Sequence, residues 1–327
     1  MASRSKIEWT ESTWNPVTGC TKISLGCEHC YAERMAKRLR GRYVYPADDP
    51  FQVTLHPDRL DEPLHWRKPS VVFLCSMGDL FHEDVPNEFI ASVFGSMAAS
   101  NQHAFLVLTK RPRRMLRWFA WARESVHPEC SPAVGCLVEL ETALRCAAFD
   151  VPIAWPLPNV WLGTSVEDQA AADERIPCLL KTPAAKRFVS CEPLLGAVDL
   201  HVPWGGIRAN ALQGWESSQN GIHWVIVGGE SGPGARPMHP DWARSIRDQC
   251  QAADVPFFFK QWGHYAPTGQ PRNGSAVAYA DGKWPQIDLF GLDTSRPHSM
   301  MNPVGKKAAG RLLDGCEWNE MPSVTGG

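Results

Sequence analysis

Three cysteines lie close together near the N-terminus, in the run WNPVTGCTKISLGCEHCYAERMAKRL. Six residues separate Cys20 from Cys27, and two separate Cys27 from Cys30. Thiolates bind zinc and iron, and three of them leave one position open in a tetrahedral zinc site or at one corner of a [4Fe-4S] cluster. Because a metal centre with an open position can bind a substrate or a cofactor, we expect the chemistry of the protein to take place at this run.

Zinc is an alternative to iron for these thiols. A zinc site would need a fourth ligand, for which His29, His56 and His82 are candidates, although His29 is poorly placed beside Cys30. Cysteines are also often simply buried as small apolar residues. The cysteine spacing alone leaves these alternatives open.

The composition limits the class of protein. The chain has 327 residues, of which 44% are hydrophobic and 21% charged, as expected for one large α/β domain or two smaller ones. It has no apolar stretch long enough to cross a membrane and no apolar signal-peptide core, so we expect a cytoplasmic protein without a membrane partner. Eleven scattered cysteines favour reduced thiols or metal ligands over disulfides. With a net charge of −2, any binding of nucleic acid would need local basic patches.

Short apolar runs alternate with helix-like stretches along most of the chain. Continuous apolar runs are typical of parallel strands that are covered on both faces. Pro86, Pro112 and Pro240 indicate helix starts. The sequence therefore predicts an α/β fold, a complete or partial (β/α) TIM-like barrel of six to eight parallel strands. The candidate strands are residues 14–18, 52–56, 71–76, 104–110, 160–165, 187–193, 223–230 and 255–262.

Three segments depart from this alternation. Residues from about 123 to 158 are predicted to be an insertion, and residues 205–221 are predicted to be a loop. Residues 1–265 would form the barrel, and residues 266–327 would form an irregular C-terminal extension packed on it.

In a parallel barrel, functional groups collect where strands end and loops begin. Any one of these polar side chains could instead only cap a helix or contact water. The run GGESGPGARP after one strand could hold a carboxylate or phosphate, or it could be a bare tight turn. Cys75 also ends a candidate strand, and Gly228 and Gly229 begin the Gly-rich run. The polar candidates at the strand ends are Ser76, Asp79, Thr109, Lys110, Arg111, Ser165, Glu167, Asp168, Cys191, Glu192, Glu230, Lys260 and Gln261.

Two basic runs contrast with the nearly neutral chain. KRPRRMLR follows a strand and supplies Arg111, Arg113 and Arg114 as candidate phosphate contacts, and Arg236 lies in the Gly-rich run. RMAKRLRGR follows the third cysteine. A solvated helix face is the alternative explanation for either run.

The position of the three cysteines, on a loop after a first barrel strand, resembles the radical S-adenosylmethionine enzymes. Those enzymes usually have the spacing CxxxCxxC with an aromatic residue before the last cysteine, whereas this chain has a longer first gap and His29 at that position. Over nearly its whole length the chain is identified as a member of the phage gene product 37/68 family, a three-cysteine-motif family without an established reaction. The shared blocks include WNPVTGC, CEHCYAERMA, SMGDLFHEDVP, LTKRP, PLPNVWLGTSVED, SCEPLLG, WVIVGGESGPGARPM, FFFKQWG and GRLLDG.

The resemblance implies that Cys20, Cys27 and Cys30 hold a [4Fe-4S] cluster whose fourth iron binds S-adenosyl-L-methionine. An external electron donor would reduce the cluster, and the barrel would shelter the resulting 5′-deoxyadenosyl radical. Cys75 or Cys191 would return a hydrogen atom to a product radical. Lys110 and Glu192 are further candidate catalytic residues. The candidate cofactor contacts are Asp79, Ser76, Ser165, Glu167, Gly228, Gly229 and Glu230.

The expected function is therefore that of a radical S-adenosylmethionine enzyme in a phage or mobile-element setting. Its substrate would be nucleic acid or a nucleotide-like molecule, which it would modify or repair. One alternative is a zinc-binding barrel that binds nucleic acid without redox chemistry. Another is a hydrolase that uses the carboxylates of Asp79, Glu167, Glu192 and Glu230. The sequence does not identify the substrate, the electron donor or the oligomeric state.

Overall fold

The computed structural model describes residues 3–5, 7–124, 156–214, 220–267, 274–282 and 296–323. Most of the predicted insertion at residues 123–158 lies outside these ranges. The helices are α1 Tyr31–Arg38, α2 Asn87–Ala99, α3 Pro112–Glu124, α4 Gln169–Lys181, α5 Pro240–Ala252 and α6 Lys306–Ala309, with short 3-10 turns at Leu25–Cys27, Pro57–Arg59 and Glu62–His65. The strands are β1 Ser3–Arg4, β2 Ser12–Trp14, β3 Val17–Thr18, β4 Thr54–Leu55, β5 Val71–Leu74, β6 Ala104–Thr109, β7 Val160–Ser165, β8 Lys186–Cys191, β9 His201–Trp204, β10 Ile207–Asn210, β11 Trp224–Gly228, β12 Phe257–Gln261, β13 Tyr265–Ala266, β14 Ala276–Tyr279, β15 His298–Pro303, β16 Leu312–Leu313 and β17 Cys316–Glu317.

The main sheet has eight strands in the order β1-β2-β5-β6-β7-β8-β11-β12. The seven strands from β2 onward are parallel, and β1 pairs antiparallel with β2 at the edge. The order ends at β1 and β12, so the sheet of the described residues stays open. The predicted α/β fold, a partial barrel of six to eight parallel strands, is confirmed.

Aromatic contacts show that this sheet curls. Trp9, just before β2, lies 6.1 Å from Trp224 of β11, measured between ring centroids. Four strands separate β2 from β11, so in a flat sheet they would lie about 24 Å apart. Trp224 also contacts Trp161 at 6.2 Å and Phe258 at 6.0 Å. The concave face of the half-barrel is therefore filled with aromatic side chains near the amino ends of its strands.

The convex face packs against the helices. Side chains that alternate with the inward-facing aromatics, such as Val107 and Val189, join a large core with Phe94 of α2 and Trp118 of α3. The rings of Phe94 and Trp118 stack at 4.6 Å. Burial on both faces explains why the central strands are continuous apolar runs.

The predicted helix starts are confirmed, because Pro86 directly precedes α2 and Pro112 and Pro240 are the first residues of α3 and α5. The prediction of a barrel strand at residues 52–56 is wrong. Thr54–Leu55 instead forms β4, which pairs antiparallel with β3 in a separate ribbon. Pro16 divides the first candidate strand into β2 and β3, since proline has no N–H for a strand ladder.

The prediction of a loop at residues 205–221 is wrong in its first part. Strands β9 and β10 form a hairpin in which Trp204 pairs with Ile207. Gly205 and Gly206 form its two-residue turn with φ values of 56° and 90°. This conformation strongly favours glycine, so the Gly-Gly pair was a readable hairpin signal.

The C-terminal residues contain more regular structure than the irregular extension that was predicted. Strands β13, β15 and β14 form a small antiparallel sheet. Residues 318–320 cover the open edge at β12, where Phe259 N donates to Trp318 O at 2.9 Å and Glu320 N donates to Phe257 O at 3.3 Å. Trp224 Nε1 of the neighbouring strand β11 also donates to Glu320 O, at 2.8 Å. Covering an edge strand removes a site for unwanted strand pairing. The division into residues 1–265 and 266–327 stays a prediction.

None of the helices in the described ranges has the length and apolar character needed to span a membrane.

The inner aromatic core makes one position specific for glycine. Gly163 pairs with Phe188 across β7 and β8, and a Cβ atom at Gly163 would lie 2.5 Å from the Phe188 ring. We expect Gly163→Ala to lower the free energy of unfolding by about 1–3 kcal/mol, because it overpacks a closed core. Urea denaturation measures this loss. Phe188→Leu should recover part of it in the double variant, and a fully stable Gly163→Ala protein would contradict the packing described here.

Candidate active site at the carboxyl ends of the strands

The three cysteines lie on one loop, residues 19–30, which we call the cysteine loop. The loop starts at the carboxyl end of the sheet, where Gly19 N donates to Met77 O at 2.9 Å and Cys20 N donates to Phe51 O at 3.1 Å. Cys27 ends the 3-10 turn Leu25–Cys27, and Cys30 immediately precedes α1. All three are half-buried free thiols. The loop after the first parallel strand thus presents three unmodified sulfur donors beside the other strand ends.

Glu167 is a buried carboxylate beneath this loop. Its Oε1 accepts hydrogen bonds from Lys110 Nζ at 2.7 Å and from the Ser24 hydroxyl, and its Oε2 accepts one from Arg175 Nη1 at 2.6 Å. Gly26 of the loop packs so closely on Glu167 that a Cβ atom would overlap the carboxylate side chain. Burial acts to raise the pKa of Glu167, but the charges of Lys110 and Arg175 with the hydrogen bonds of Lys110 and Ser24 lower it overall. Glu167 is therefore an ionised anchor for the loop.

Arg111 is a second anchor. Its Nη1 donates to Cys20 Sγ at 3.3 Å and to Asp79 Oδ2 at 3.2 Å, and its Nη2 donates to Thr21 O at 3.0 Å. Asp79 also accepts from the Thr109 hydroxyl at 2.8 Å. Burial and the charge of Asp79 raise the pKa of Cys20 to about 11, although Arg111 acts in the opposite direction. Asp79, a predicted cofactor contact, here positions the arginine that holds Cys20.

The Gly-rich run that follows β11 is a third anchor. Its Arg236 donates to both carboxylate oxygens of Glu230, at 2.9 and 2.6 Å, and also to Glu28 Oε2 at 2.8 Å and Leu25 O at 2.9 Å. His29 Nδ1 lies 3.1 Å from Glu230 Oε2. Arg236 and Glu230, predicted to hold an anion and a cofactor, are thus bonded to each other and to the cysteine loop.

A further ion pair lies where β8 and β12 end. Lys260 Nζ donates to Glu192 Oε2 at 2.8 Å, and Gln261 Nε2 lies 3.3 Å from Glu192 Oε1. A Cβ atom at Gly228 would come within 3.2 Å of the Glu192 carboxylate, and Gly229 N donates to Gln261 O at 2.9 Å. The two glycines permit this close approach, and the Gly229 amide is already used within the protein.

Cys191 does not face the concave side as expected. It packs with Val189 in the core between the sheet and the helices, whereas Phe188 belongs to the inner aromatic core. Successive side chains of a strand point to opposite faces, so the position of Phe188 assigns Cys191 to the helix side. Burial raises the pKa of Cys191 to about 12. The expectation that this thiol faces the mouth of the barrel is wrong.

Three other predicted strand-end residues lie at the carboxyl ends of β5 and β7. Cys75 is buried, which raises its pKa, and it interacts electrostatically with Cys20. The Ser76 hydroxyl donates to Asn15 Oδ1 at 3.2 Å. Ser165 is the buried last residue of β7. Their roles as hydrogen-atom donor and cofactor contacts stay predictions.

The histidines proposed as a fourth zinc ligand have protein partners. His56 Nε2 is 2.8 Å from Thr18 Oγ1, and His82 Nε2 is 2.8 Å from Thr21 Oγ1. In the part of the chain that the structure describes, no three His, Cys, Asp or Glu side chains are grouped as for a metal ion. By donor type, however, three free thiols on one loop fit a thiolate-bound cluster with an open corner.

The basic run KRPRRMLR is also bound within the protein. Arg114 Nη2 donates to Asn87 Oδ1 at 2.6 Å, and Arg113 Nε lies 3.5 Å from Glu174 Oε1. The remaining residues predicted to contact phosphate, Arg111 and Arg236, are anchors of the cysteine loop. None of these predicted phosphate contacts lacks a partner in the described residues.

Comparison with known proteins adds a family. The family model described as "Protein of unknown function (DUF5131)" matches residues 4–322. The chain belongs to this family. No curated protein matches the sequence.

Three solved structures similar to this DUF5131 protein are of spore photoproduct lyase. One, a cysteine-to-serine mutant, has a TM-score of 0.38 and 11% identity. A double mutant with bound AdoMet and dinucleoside spore photoproduct has a TM-score of 0.40 and 10% identity. The third, complexed with dinucleoside spore photoproduct, has a TM-score of 0.38 and 10% identity. Each comparison covers 89% of this chain and 72% of the other.

Sequence reasoning missed Arg175 as a site residue in this DUF5131 protein. Arg175 lies on the buried face of α4 with Ala172, Ile176 and Leu179. A charged residue on an apolar helix face needs a buried partner, so its position was a usable signal. The identity of that partner, Glu167, was not readable from the pattern.

The Glu167 anchor leads to a prediction about stability and pH. At neutral pH, Glu167→Gln should lower the free energy of unfolding by about 3–5 kcal/mol, because it leaves the Lys110 and Arg175 charges buried without a counter-ion. The folded-state pKa of Glu167 is lowered, so its stabilisation is present above the unfolded-state pKa and is lost as pH falls through the folded-state value. The difference between wild type and variant should therefore shrink below about pH 4.

Denaturant titrations over a range of pH measure this difference. Asp173→Asn is the matched control, because it breaks the solvent-exposed pair with Arg208 and should cost only about 0–1 kcal/mol. Equal losses for the two variants would show that Glu167 is not a buried anchor.

Proposed function

We propose that this protein is a radical S-adenosylmethionine enzyme whose substrate is nucleic acid or a nucleotide-like molecule, modified or repaired by the reaction. The position of the cysteine loop carries this proposal. Three free thiols are anchored on one loop at the carboxyl end of an open parallel half-barrel, which is where such folds place their chemistry.

Cys20, Cys27 and Cys30 would hold a [4Fe-4S] cluster and leave its fourth iron free for S-adenosylmethionine. Bound there, the cluster would supply the electron for reductive cleavage of S-adenosylmethionine, after receiving it from an external donor. The protein's part is to fix the loop through Glu167 and Arg111, whose buried charges hold it against the ends of β6 and β7.

The concave face suits chemistry that must exclude water. Its amino-terminal half is filled by the aromatic core around Trp224, so a bound molecule can enter only toward the carboxyl ends. Lys110, Glu192 and Lys260 supply charges there that are already paired with each other or with Glu167. The aromatic core excludes water from one end of such a site, and the ion pairs at the other end leave no charge without a partner.

The hydrolase alternative is weaker on electrostatic grounds. Each candidate carboxylate has its own cationic partner. Among the described residues, none of them is paired with a second carboxylate. Burial acts to raise the pKa of Glu230, but hydrogen bonds from Arg236 and His29 lower it overall, and the pKa of Glu167 is also lowered. A general acid needs a pKa near the working pH, so these two groups are poorly suited to protonate a leaving group.

The proposal also assigns residues that would contact S-adenosylmethionine and donate a hydrogen atom. Ser76, Ser165 and the Gly228–Gly229 pair would lie around the methionyl and ribose groups. Cys75 is buried in the same core as Cys191, but it is the better placed of the two candidate hydrogen-atom donors because it lies two residues before Met77, whose carbonyl oxygen accepts from Gly19 N at the start of the cysteine loop. The phage or mobile-element setting is supported by the sequence blocks alone.

The proposal predicts a cluster and a product. After anaerobic reconstitution with iron and sulfide, the wild type should absorb visible light and, with dithionite, convert S-adenosylmethionine to 5′-deoxyadenosine. Cys27→Ala should abolish both signals, because it removes one of three cluster ligands. Cys316→Ala removes an exposed cysteine outside the loop and should leave both unchanged. A colourless wild type that retains stoichiometric zinc would contradict the proposal.

A further inference from the structure

An exposed aromatic surface adjoins the cysteine loop. Of the six large hydrophobic side chains exposed in the described residues, four lie between residues 23 and 43: Ile23 (46% exposed), Leu25 (53%), Tyr31 (61%) and Tyr43 (90%). Exposed apolar side chains scattered singly need no explanation, but a local concentration is typical of an interaction site. Ile23 and Leu25 lie on the cysteine loop, Tyr31 is the first residue of α1, and Tyr43 lies in the turn after it.

Tyr43 is held outward by a tight turn. Arg42 N donates to Leu39 O at 2.8 Å, Tyr45 N donates to Arg42 O at 3.1 Å, and Gly41 N donates to Tyr45 O at 2.9 Å. The turn places Tyr43 at a φ of 55°, in the left-handed region that bulky residues rarely adopt. A tyrosine that is both strained and almost fully exposed contributes little to packing, which points to a role outside the fold.

Unpaired positive charge surrounds these rings. Residues 31–45 contain five basic residues and one acidic residue, whereas the whole chain has a net charge of −2. The acidic residue, Glu33, is paired with Lys22 at 3.1 Å and with Lys37 at 2.6 Å. In the part of the chain that the structure describes, the exposed side chains of Arg38, Arg40 and Arg42 have neither an ion pair nor a hydrogen bond. Arg67 and Arg123 are also exposed and unpaired there, but only residues 38–42 place three such arginines within five residues.

The basic run after β6 shows the opposite behaviour. Lys110 is paired with Glu167, Arg111 with Asp79, and Arg114 with Asn87. Its charges are therefore used to hold the protein together. Arg38, Arg40 and Arg42 are instead unpaired, and their charges are available to bind an anionic partner.

The rings and arginines follow one another along a single path. Tyr31 and Arg38 are seven residues apart on the same face of α1, separated by a rise of about 10 Å. Tyr45, whose backbone closes the turn that carries Tyr43, interacts electrostatically with Tyr31. Cys30 directly precedes Tyr31, so the path starts at the cysteine loop.

We propose that Tyr31, Arg38, Arg40, Arg42 and Tyr43, the basic–aromatic surface, bind a single strand of nucleic acid. The arginines would contact phosphates, and unpaired bases would stack on the two tyrosine rings. Stacking on an exposed ring requires a base that is free of its duplex, which selects a single strand over a double helix. This inference deepens the proposed function and rests on it, because the reaction proposed at the cysteine loop explains why a substrate strand would bind beside that loop.

Binding can be measured without the cluster. Fluorescence anisotropy with a labelled oligonucleotide of about 15 nucleotides, as a single strand and as a duplex, should show tighter binding of the single strand. Arg38→Ala/Arg40→Ala/Arg42→Ala should weaken binding and reduce the steepness of log K against log salt by about 2, since each phosphate contact contributes about 0.7 for single strands. The control Arg67→Ala/Lys68→Ala/Arg123→Ala also removes three exposed positive charges and should bind as wild type does.

The aromatic contribution needs its own variants. Tyr31→Ala and Tyr43→Gly should each weaken binding by about tenfold, because each removes a stacking ring. Tyr31→Phe and Tyr43→Phe keep the ring and should bind like the wild type. Glycine is chosen at Tyr43 because it adopts the left-handed conformation without strain, so thermal stability should not fall.

Several outcomes would overturn this inference. Equal affinity for single strand and duplex would do so, as would equal effects of the arginine triple variant and its control. If polyglutamate bound as tightly as the oligonucleotide, and if the tyrosine substitutions did not change its affinity, the surface would instead bind an acidic protein partner. If the wild type binds the oligonucleotide but forms no 5′-deoxyadenosine, the result counts only against the proposed function. If it forms 5′-deoxyadenosine but does not bind the oligonucleotide, the result counts only against this surface.

Discussion

The arrangement of the site depends on one constraint, the burial of the Glu167 charge. A buried carboxylate must be paired and hydrogen bonded, and here its partners come from three separate parts of the chain: Lys110 after β6, Arg175 of α4 and Ser24 of the cysteine loop. In turn, Glu167 supplies the counter-ion for Lys110 and Arg175 and the hydrogen-bond acceptor for the Ser24 hydroxyl. Satisfying one charge therefore fixes the loop, two strand ends and a helix relative to one another.

The curled sheet supplies the surface on which this charge network lies. Its concave face is apolar at the amino ends, where Trp161 and Trp224 meet, and polar at the carboxyl ends, where Lys260 pairs with Glu192. The open edge at β12 is covered by residues 318–320. The sheet of the described residues therefore stays open without exposing the edge at β12, and the cysteine loop lies at the carboxyl ends of its strands.

Local patterns predicted the fold better than the site. The strand at Val160–Ser165 and the helix starts at Pro112 and Pro240 follow from apolar runs and proline chemistry, which involve only neighbouring residues. The face to which Cys191 points could not be read in the same way. Residues 187–191 of β8 are all buried, so no alternation of polar and apolar residues marks the concave side of the strand. The contact of Arg111 with Cys20 joins residues far apart in sequence, so no local pattern could indicate it.

The two basic runs show why composition alone cannot identify a binding surface. Both contain arginines at similar density, and from the sequence the run KRPRRMLR is the candidate for phosphate contact because it follows a strand. In the structure, Arg111 and Arg114 are used by buried or neighbouring acceptors, whereas Arg38 and Arg42 have none among the described residues. Recognition of a polyanion depends on the charge that folding leaves unpaired. On that criterion, the nucleic-acid strand that we propose as a ligand would approach over α1, beside the cysteine loop.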